Sequence, residues 1–204
     1  MPRLYSTLLS CLILFQSGLV AAETATQDLT QLRKWFSRAE SIAHRPNSNE
    51  SRYLKKQLKD YPLAPYVELK TYMRFPFLSN KDNIEQFLAK YEDTPLDRPL
   101  RKKWLNYLAK QKQSAMYLHF YRDINSIPLQ CHHIKFRLER PEMREAALKE
   151  IDDLWLVGKS QPKACDFVFS QWKKAGRQTD VMIYKRLTLA ADGGKHTLIP
   201  YLKG

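Results

Sequence analysis

Cysteine and long apolar runs are scarce in this 204-residue chain. It has three cysteines, and a single long apolar run extends from Leu8 to Val20. The sequence after residue 22 is nowhere apolar enough to cross a membrane, so we expect no membrane span there. Regular alternation of polar and apolar residues is also missing, which argues against β-strands.

The amino-terminal segment has the parts of a secretory signal peptide. Arg3 supplies a basic start, the apolar run follows, and Val20-Ala21-Ala22 offers small residues for cleavage. We therefore predict a signal peptide over residues 1–22, cleavage after Ala22, and a soluble mature chain, 23–204, in the periplasm. An uncleaved anchor is the alternative, although the run is short for a membrane span.

Cleavage would remove Cys11 and leave Cys131 and Cys165. An even number of cysteines in an oxidising compartment favours a disulfide over a reactive thiol. Two alternatives remain open, a zinc site of Cys131, His132, His133 and Cys165, and a nucleophilic Cys165. Adjacent histidines point to different faces of a helix and no C-x-x-C pair is present, so the spacing differs from that of common zinc sites.

The chain carries an excess of positive charge. It has 34 basic and 21 acidic residues, a formal charge of +13 that becomes +12 without Arg3. An exported basic chain meets cell-wall carboxylates, anionic lipids and polysaccharides, so we expect an anionic partner other than nucleic acid. Because the basic residues are spread along the sequence, solvated helix faces are the alternative to a binding surface.

The remaining sequence predicts one helix after another. Apolar residues recur at helical spacing, prolines stand near helix starts, and Asp82 with Glu85 has the pattern of a capping box. The predicted helical segments are 28–44, 50–61, 64–75, 82–93, 95–110, 113–123, 128–140, 142–158, 161–176, 179–192 and 195–204.

Two stretches of the sequence echo each other about 30 residues apart. In each, a helix ends in Leu-x-x-Tyr, at Tyr61 and at Tyr91, and a Pro-Leu pair and an aromatic-rich helix follow. A helical hairpin cannot bury its apolar face alone, so neighbouring hairpins must stack. The sequence therefore predicts an all-α fold, an α-solenoid or superhelical array of short helical hairpins, with a compact bundle as the alternative.

The sequence offers no motif for an active site, a metal or a cofactor, and we predict none. The Gly-Lys-Ser at 158–160 lacks the preceding glycine and strand of a phosphate-binding loop. Glu50-Ser51 lies in a polar break. The acidic pairs that a glycosidase would need are present only as exposed-looking runs, Glu92-Asp93 and Asp152-Asp153.

Aromatic residues are frequent and have two interpretations. They could stack on sugar rings, but aromatic side chains at helical spacing more often form the core that lets small hairpins pack. We predict core positions for all four tryptophans, Trp35, Trp104, Trp155 and Trp172.

Four segments of the chain resemble a known family. They are "YPLAPYVELK", "FLAKYEDTPLDRPLRKKWLNYLAKQKQ", "LQCHHIKFRL" and "LWLVGKSQPKACDFVFSQW". They are similar to the amino-terminal part of the soluble lytic murein transglycosylases, from about Leu32 onwards. The resemblance implies a superhelical, U-shaped domain of short helices over residues 23–204, and it implies that Cys131 pairs with Cys165.

The same resemblance implies an activity that this chain is not expected to have alone. The family cleaves the bond between N-acetylmuramic acid and N-acetylglucosamine in peptidoglycan with a glutamate of a carboxy-terminal lysozyme-like module. The Glu-Ser and glycine-rich Met-Gln motifs of that module are absent from this sequence, so no catalytic residue is assigned. His132 and His133 also stand where the resemblance would place aromatic residues.

Two functional hypotheses follow from the sequence. In the first, the chain is a non-catalytic superhelical part of a lytic transglycosylase, either truncated or working with a catalytic module encoded elsewhere. Its partner would then be peptidoglycan, bound through the basic surface. In the second, the chain is a stand-alone periplasmic solenoid that binds a protein partner.

Overall fold

A computed structural model describes residues 28–193 and Pro200. Within them the chain is all-α and has no strand, so the predicted all-α class is confirmed. Two short 3₁₀ helices, Leu78–Asn80 and Lys163–Cys165, precede α4 and α9. The α-helices are α1 (28–41), α2 (Asn49–Gln57), α3 (Ala64–Arg74), α4 (Lys81–Lys90), α5 (Asp97–Lys110), α6 (Ser114–Phe120), α7 (Ile127–Leu138), α8 (Pro141–Trp155), α9 (Asp166–Lys174) and α10 (Asp180–Asp192).

Local sequence signals explain where several helices begin. Pro65, Pro128 and Pro141 stand in the first turns of α3, α7 and α8, where a missing N–H costs no hydrogen bond. The side chains of Ser48 and Thr179 accept hydrogen bonds from backbone N–H groups in the first turns of α2 and α10. Proline positions were therefore good guides to three of these starts.

The predicted capping box at Asp82 is wrong. The 3₁₀ helix Leu78–Asn80 continues directly into α4, which begins at Lys81. Asp82 therefore already lies inside the first turn of α4 and is exposed there. The predicted helix 195–204 and the signal peptide lie outside the described residues.

The two stretches that echo each other in sequence share one local structure. The first forms α2 and α3 and the second forms α4 and α5, each pair joined by a short turn. In these turns the backbone oxygen of Tyr61 accepts a hydrogen bond from the N–H of Ala64 at 2.9 Å, and that of Tyr91 accepts one from the N–H of Thr94 at 3.2 Å. The prediction of repeated helix–turn–helix segments is confirmed for this part of the chain.

The chain divides into two compact units at Gln86 and Phe87. The described part of the first unit has its own apolar core, in which Trp35 is half-buried and Phe36 packs at 5.6 Å from Tyr61. The residues buried in this core lie in α1, in α2 or directly after one of them, and they are Ala39, Ile42, Leu54 and Leu58.

The second unit stacks its helices in chain order. Its main packing partners are α5 with α6, α6 with α7, α7 with α8 and α8 with α9, and α7 also contacts α5 and α9. Packing between sequence neighbours is the pattern of stacked helical hairpins. In residues 28–193, no helix has the length and apolarity needed to cross a bilayer.

Candidate functional site

A disulfide lies at the centre of the second unit. It joins Cys131, inside α7, to Cys165, the last residue of the 3₁₀ helix before α9, with the Cα atoms 5.0 Å apart. Both cysteines are fully buried in an apolar cluster that includes Ile134, Ile151 and Val168. In this state neither sulfur is free to act as a nucleophile or a metal ligand.

The stacking order explains why residues so far apart in sequence meet. Cys131 and Cys165 lie on either side of α8, and α7 contacts α8 as well as the 3₁₀ helix and α9 that follow it. The segments before and after α8 therefore lie side by side. The cysteine Cα separation falls within the range usual for disulfides.

The two histidines proposed for a zinc site belong to aromatic contacts instead. The ring of His133 stacks on Tyr121, with centroids 3.8 Å apart and planes inclined by 8°, and His132 meets Tyr117 edge-on. Among the described residues no group of three His, Cys, Asp or Glu side chains could hold a metal ion. His133 thus has the packing role of an aromatic residue.

Three polar residues surround this stack, Gln130, Arg137 and Glu150. We call these three residues, together with the stacked Tyr121 and His133, the α7 cluster. Arg137 pairs with Glu150, which also accepts a hydrogen bond from the side chain of Gln130 at 3.4 Å. Burial, and then the Arg137 charge, lower the pKa of His133 to about 4. Burial, and then nearby carboxylates, raise the pKa of Tyr121 to about 12.

These values limit the chemistry of the α7 cluster. At neutral pH both stacked rings are neutral, and neither changes its protonation state near pH 7. General acid–base catalysis works best with a group whose pKa lies near the working pH. The α7 cluster therefore suits packing or recognition better than proton transfer.

Three of the four tryptophans lie in the core, as predicted, whereas Trp35 is only half-buried. Trp104 and Trp172 are fully buried and Trp155 is 5% exposed. The guanidinium of Arg186 lies 3.8 Å from the centroid of the Trp155 ring, a cation–π contact that the sequence alone did not indicate. None of these three rings presents a face on which a sugar could stack.

The acidic pair Asp152-Asp153 differs from the prediction of an exposed run. Asp153 is exposed, but Asp152 accepts hydrogen bonds from Trp172 Nε1 at 2.6 Å and from Arg177 Nη1 at 3.2 Å. Arg177 also pairs with Glu145. The carboxylate of Asp152 thus joins α8 to α9 and to the turn that follows it.

The Gly-Lys-Ser segment at 158–160 has a packing role. A Cβ atom added at Gly158 would lie 2.2 Å from the backbone oxygen of Leu189, so only glycine permits this approach to α10. The backbone oxygen of Lys159 accepts a hydrogen bond from Arg186 at 3.3 Å. These contacts explain the glycine without a phosphate ligand.

The remaining acidic candidates are exposed. Glu50 accepts two hydrogen bonds from Arg38, at 2.6 and 2.9 Å, and this contact lowers the pKa of its carboxyl group. The N–H of Ser51 donates to Ser48 in the amino-terminal cap of α2. Glu92, which pairs with Arg122, and Asp93 are also exposed.

Comparison with known proteins gives one consistent set of relatives. The chain is 33% identical over 152 residues to the soluble lytic murein transglycosylase of Salmonella typhimurium, a match that covers 72% of this chain and 23% of that protein. A soluble lytic murein transglycosylase of Escherichia coli is 30% identical over 148 residues. The chain spans about a quarter of the length of these relatives.

Solved structures give the same result. An inactive mutant of the lytic transglycosylase Slt from Pseudomonas aeruginosa matches 82% of this chain with a TM-score of 0.72 and 30% identity, over 27% of its own length. The 70-kDa soluble lytic transglycosylase from Escherichia coli matches 85% with a TM-score of 0.74 and 26% identity, over 28% of its own length. These matches support the predicted α-solenoid class.

One family model points elsewhere. The model described as Cucumovirus coat protein matches residues 132–203. This match covers about a third of the chain and assigns no family to it. The relatives above match about three quarters of the chain or more in sequence and in structure. We conclude that the chain is a homologue of the soluble lytic murein transglycosylases, matched over one part of their length.

Proposed function

We propose that this chain is the non-catalytic superhelical part of a soluble lytic murein transglycosylase. It is exported to the periplasm and associates with peptidoglycan without cleaving it. The observation that carries the proposal is the extent of the match, because homology covers most of this chain and 23–28% of its relatives. We propose murein as the partner because these relatives are murein transglycosylases.

The environment of Glu50 supports a non-catalytic role. Glycan cleavage by a carboxylic acid needs a group whose pKa is raised, as in an apolar pocket. Glu50 instead accepts two hydrogen bonds from Arg38, and this contact lowers the pKa of its carboxyl group. Such a partner opposes the action of that carboxyl group as an acid.

The charge of the chain supports association with an anionic polymer. After the proposed cleavage at Ala22 the formal charge is +12. The stem peptides of murein carry carboxylates, which attract such a chain at low ionic strength. Exposed charges are screened beyond roughly 10 Å at 0.1 M salt, so the association should weaken as salt is added.

Incubation of the purified mature chain with purified murein sacculi tests both halves of the proposal. We expect the chain to sediment with sacculi at low salt, to be released as salt is raised, and to produce no 1,6-anhydro muropeptides. An active lytic transglycosylase serves as the positive control. Anhydro products that persist after removal of host enzymes would contradict the non-catalytic role, and absence of binding at low salt would contradict the association with murein.

A protein-binding scaffold is the second candidate, and one surface favours it. Helix α10 exposes Val181, Tyr184 and Leu189, of which Tyr184 is 71% exposed, beside a shallow groove of about 400 Å³ that Leu156 also lines. The DNA downstream of the gene discriminates between the two candidates. A neighbouring reading frame that encodes the catalytic module favours the transglycosylase part, and unrelated neighbours favour the scaffold.

A further inference from the structure

Helix α5 has one buried face and one basic face. Its buried face includes Leu100, Trp104 and Leu108. The exposed side chains on the opposite side are Arg98, Lys102, Lys103, Asn106 and Lys110. At 3.6 residues per turn, these five positions fall within an arc of about 140° and extend about 18 Å along the helix. We call the four cations among them the α5 basic face.

No described acidic group neutralises the α5 basic face. None of its four cations forms an ion pair within 4.0 Å in the part of the chain that the structure describes. The single acidic residue of α5, Asp97, is 6% exposed and is bound by Arg101, which is also buried. The turn before α5 holds two acidic residues, of which Glu92 pairs with Arg122 and Asp93 forms no ion pair within 4.0 Å among the described residues.

The placement of two of these cations opposes helix stability. Arg98 is the second residue of α5, where a positive charge meets the positive end of the helix dipole. Arg98 and Lys102 are also four residues apart, a spacing at which like charges repel. Glutamate at either position would suit the helix better, so folding of α5 gives no reason for this pattern.

We propose that the α5 basic face binds the stem-peptide carboxylates of murein. This inference rests on the proposed function and names the surface responsible for it. A single exposed ion pair contributes little in water, and the α5 basic face has no cradle for an isolated anion. Several carboxylates along one polymer can engage cations spread over about 18 Å at once, which multiplies weak contacts into measurable binding.

The test compares two variants that lose the same charge. The first replaces the α5 basic face, R98Q/K102Q/K103Q/K110Q. The matched control, K34Q/K56Q/K59Q/K174Q, replaces exposed lysines of α1, of α2 and the turn after it, and of α9. None of these four lysines forms an ion pair within the described chain. At low salt we expect the first variant to bind sacculi about tenfold more weakly than wild type. The control should change much less, because its four charges are divided among separate segments of the chain, whereas those of α5 share one face.

Two further measurements complete the test. The thermal midpoint of the α5 variant should stay unchanged or rise slightly, because repulsion within the helix is removed. Wild-type binding should be lost on sacculi whose carboxyl groups have been amidated. A destabilised α5 variant would overturn the claim that these cations have no structural role, and wild-type binding that survives amidation would overturn the carboxylate assignment.

The failures of the two proposals are distinguishable. Wild-type chain that does not bind untreated sacculi overturns the proposed function itself. Wild-type chain that binds, with equal loss in both variants or in neither, overturns the inference about α5 and leaves association with murein intact.

Discussion

The disulfide between Cys131 and Cys165 is a cross-link between residues 34 positions apart. By the chain-entropy relation, a bridge that closes a loop of this length contributes about 3–4 kcal/mol, mainly by restricting the unfolded chain. We predict that Cys165→Ser lowers the thermal midpoint of the oxidised protein by roughly 10 °C. Thermal unfolding followed by far-UV circular dichroism measures this difference.

Reducing agent supplies the control for this prediction. Wild-type protein with reductant should unfold close to the midpoint of the Cys165→Ser variant, and reductant should leave the variant unchanged. Mass spectrometry of the exported, unreduced chain counts free thiols directly. Two free thiols in the native protein would contradict the bridge.

The burial of His133 makes stability depend on pH. The pKa of His133 is lowered to about 4 in the folded chain, against an unfolded value near 6.5. The unfolded chain therefore binds more protons at this residue between these values, and the free energy of unfolding falls as pH decreases through the window. Above pH 6.5 the contribution is fully present.

We predict that His133→Phe reduces this pH dependence, because a flat ring remains on Tyr121 but no longer titrates. The drop in thermal midpoint from pH 7 to pH 4.5 should be a few degrees smaller in the variant than in wild type. His44→Gln, at an exposed position, is the control and should keep the wild-type drop. Equal drops in wild type and His133→Phe would contradict the burial argument.

The roles of single residues were predictable where residue type and helical spacing alone indicate them. The pairing of Cys131 with Cys165 was expected, and the core positions of Trp104, Trp155 and Trp172 are confirmed. The contacts of His133 with Tyr121 and of Asp152 with Trp172 were not predicted. They join different helices, and helical periodicity reports only neighbours three or four positions apart.

At the scale of one element, α5 is fixed by a buried ion pair. Arg101 donates to Asp97 at 2.9 Å and to the backbone oxygen of Phe120, at the end of α6, also at 2.9 Å. Removing one member of a buried pair leaves an uncompensated charge and typically costs 3–5 kcal/mol. We predict such a loss for Arg101→Met in denaturant unfolding.

A double variant tests whether that loss comes from the stranded charge. Asp97→Leu/Arg101→Met should be more stable than Arg101→Met alone, because no ion is then left buried, even though the bond to Phe120 is lost. The exposed substitution Lys102→Met should change stability little. A double variant as unstable as the single one would show that the bond to Phe120 accounts for the effect.

Whole helices were predicted well because their apolar spacing and prolines are local signals. Their ends were less accurate: the segment predicted as 50–61 ends at Gln57, and the one predicted as 142–158 ends at Trp155. The start at Asp82 failed because the preceding 3₁₀ helix had already turned the chain. Such errors arise where the chain turns between helices, and the course of those turns depends on packing.

For the whole molecule, export remains a prediction. We expect the protein recovered from the periplasm to begin at Glu23, because the predicted signal peptide ends at Ala22. Amino-terminal sequencing and intact mass measure this, with a variant that carries Arg in place of Ala22 as a control expected to accumulate uncleaved. A mature protein that retains Met1 would favour the anchor.

The chain-order packing of the second unit has a consequence for how quickly it folds. Its main pairings join helices that are adjacent, or next but one, along the chain. Proteins with such short-range contacts tend to fold within microseconds to milliseconds, since little loop-closure entropy is spent before contacts form. Disulfide formation is far slower, so Cys131 and Cys165 would form their bond after the helices have packed. Because the bridge would then form only after the second unit has folded, a reduced chain should refold nearly as fast as an oxidised one.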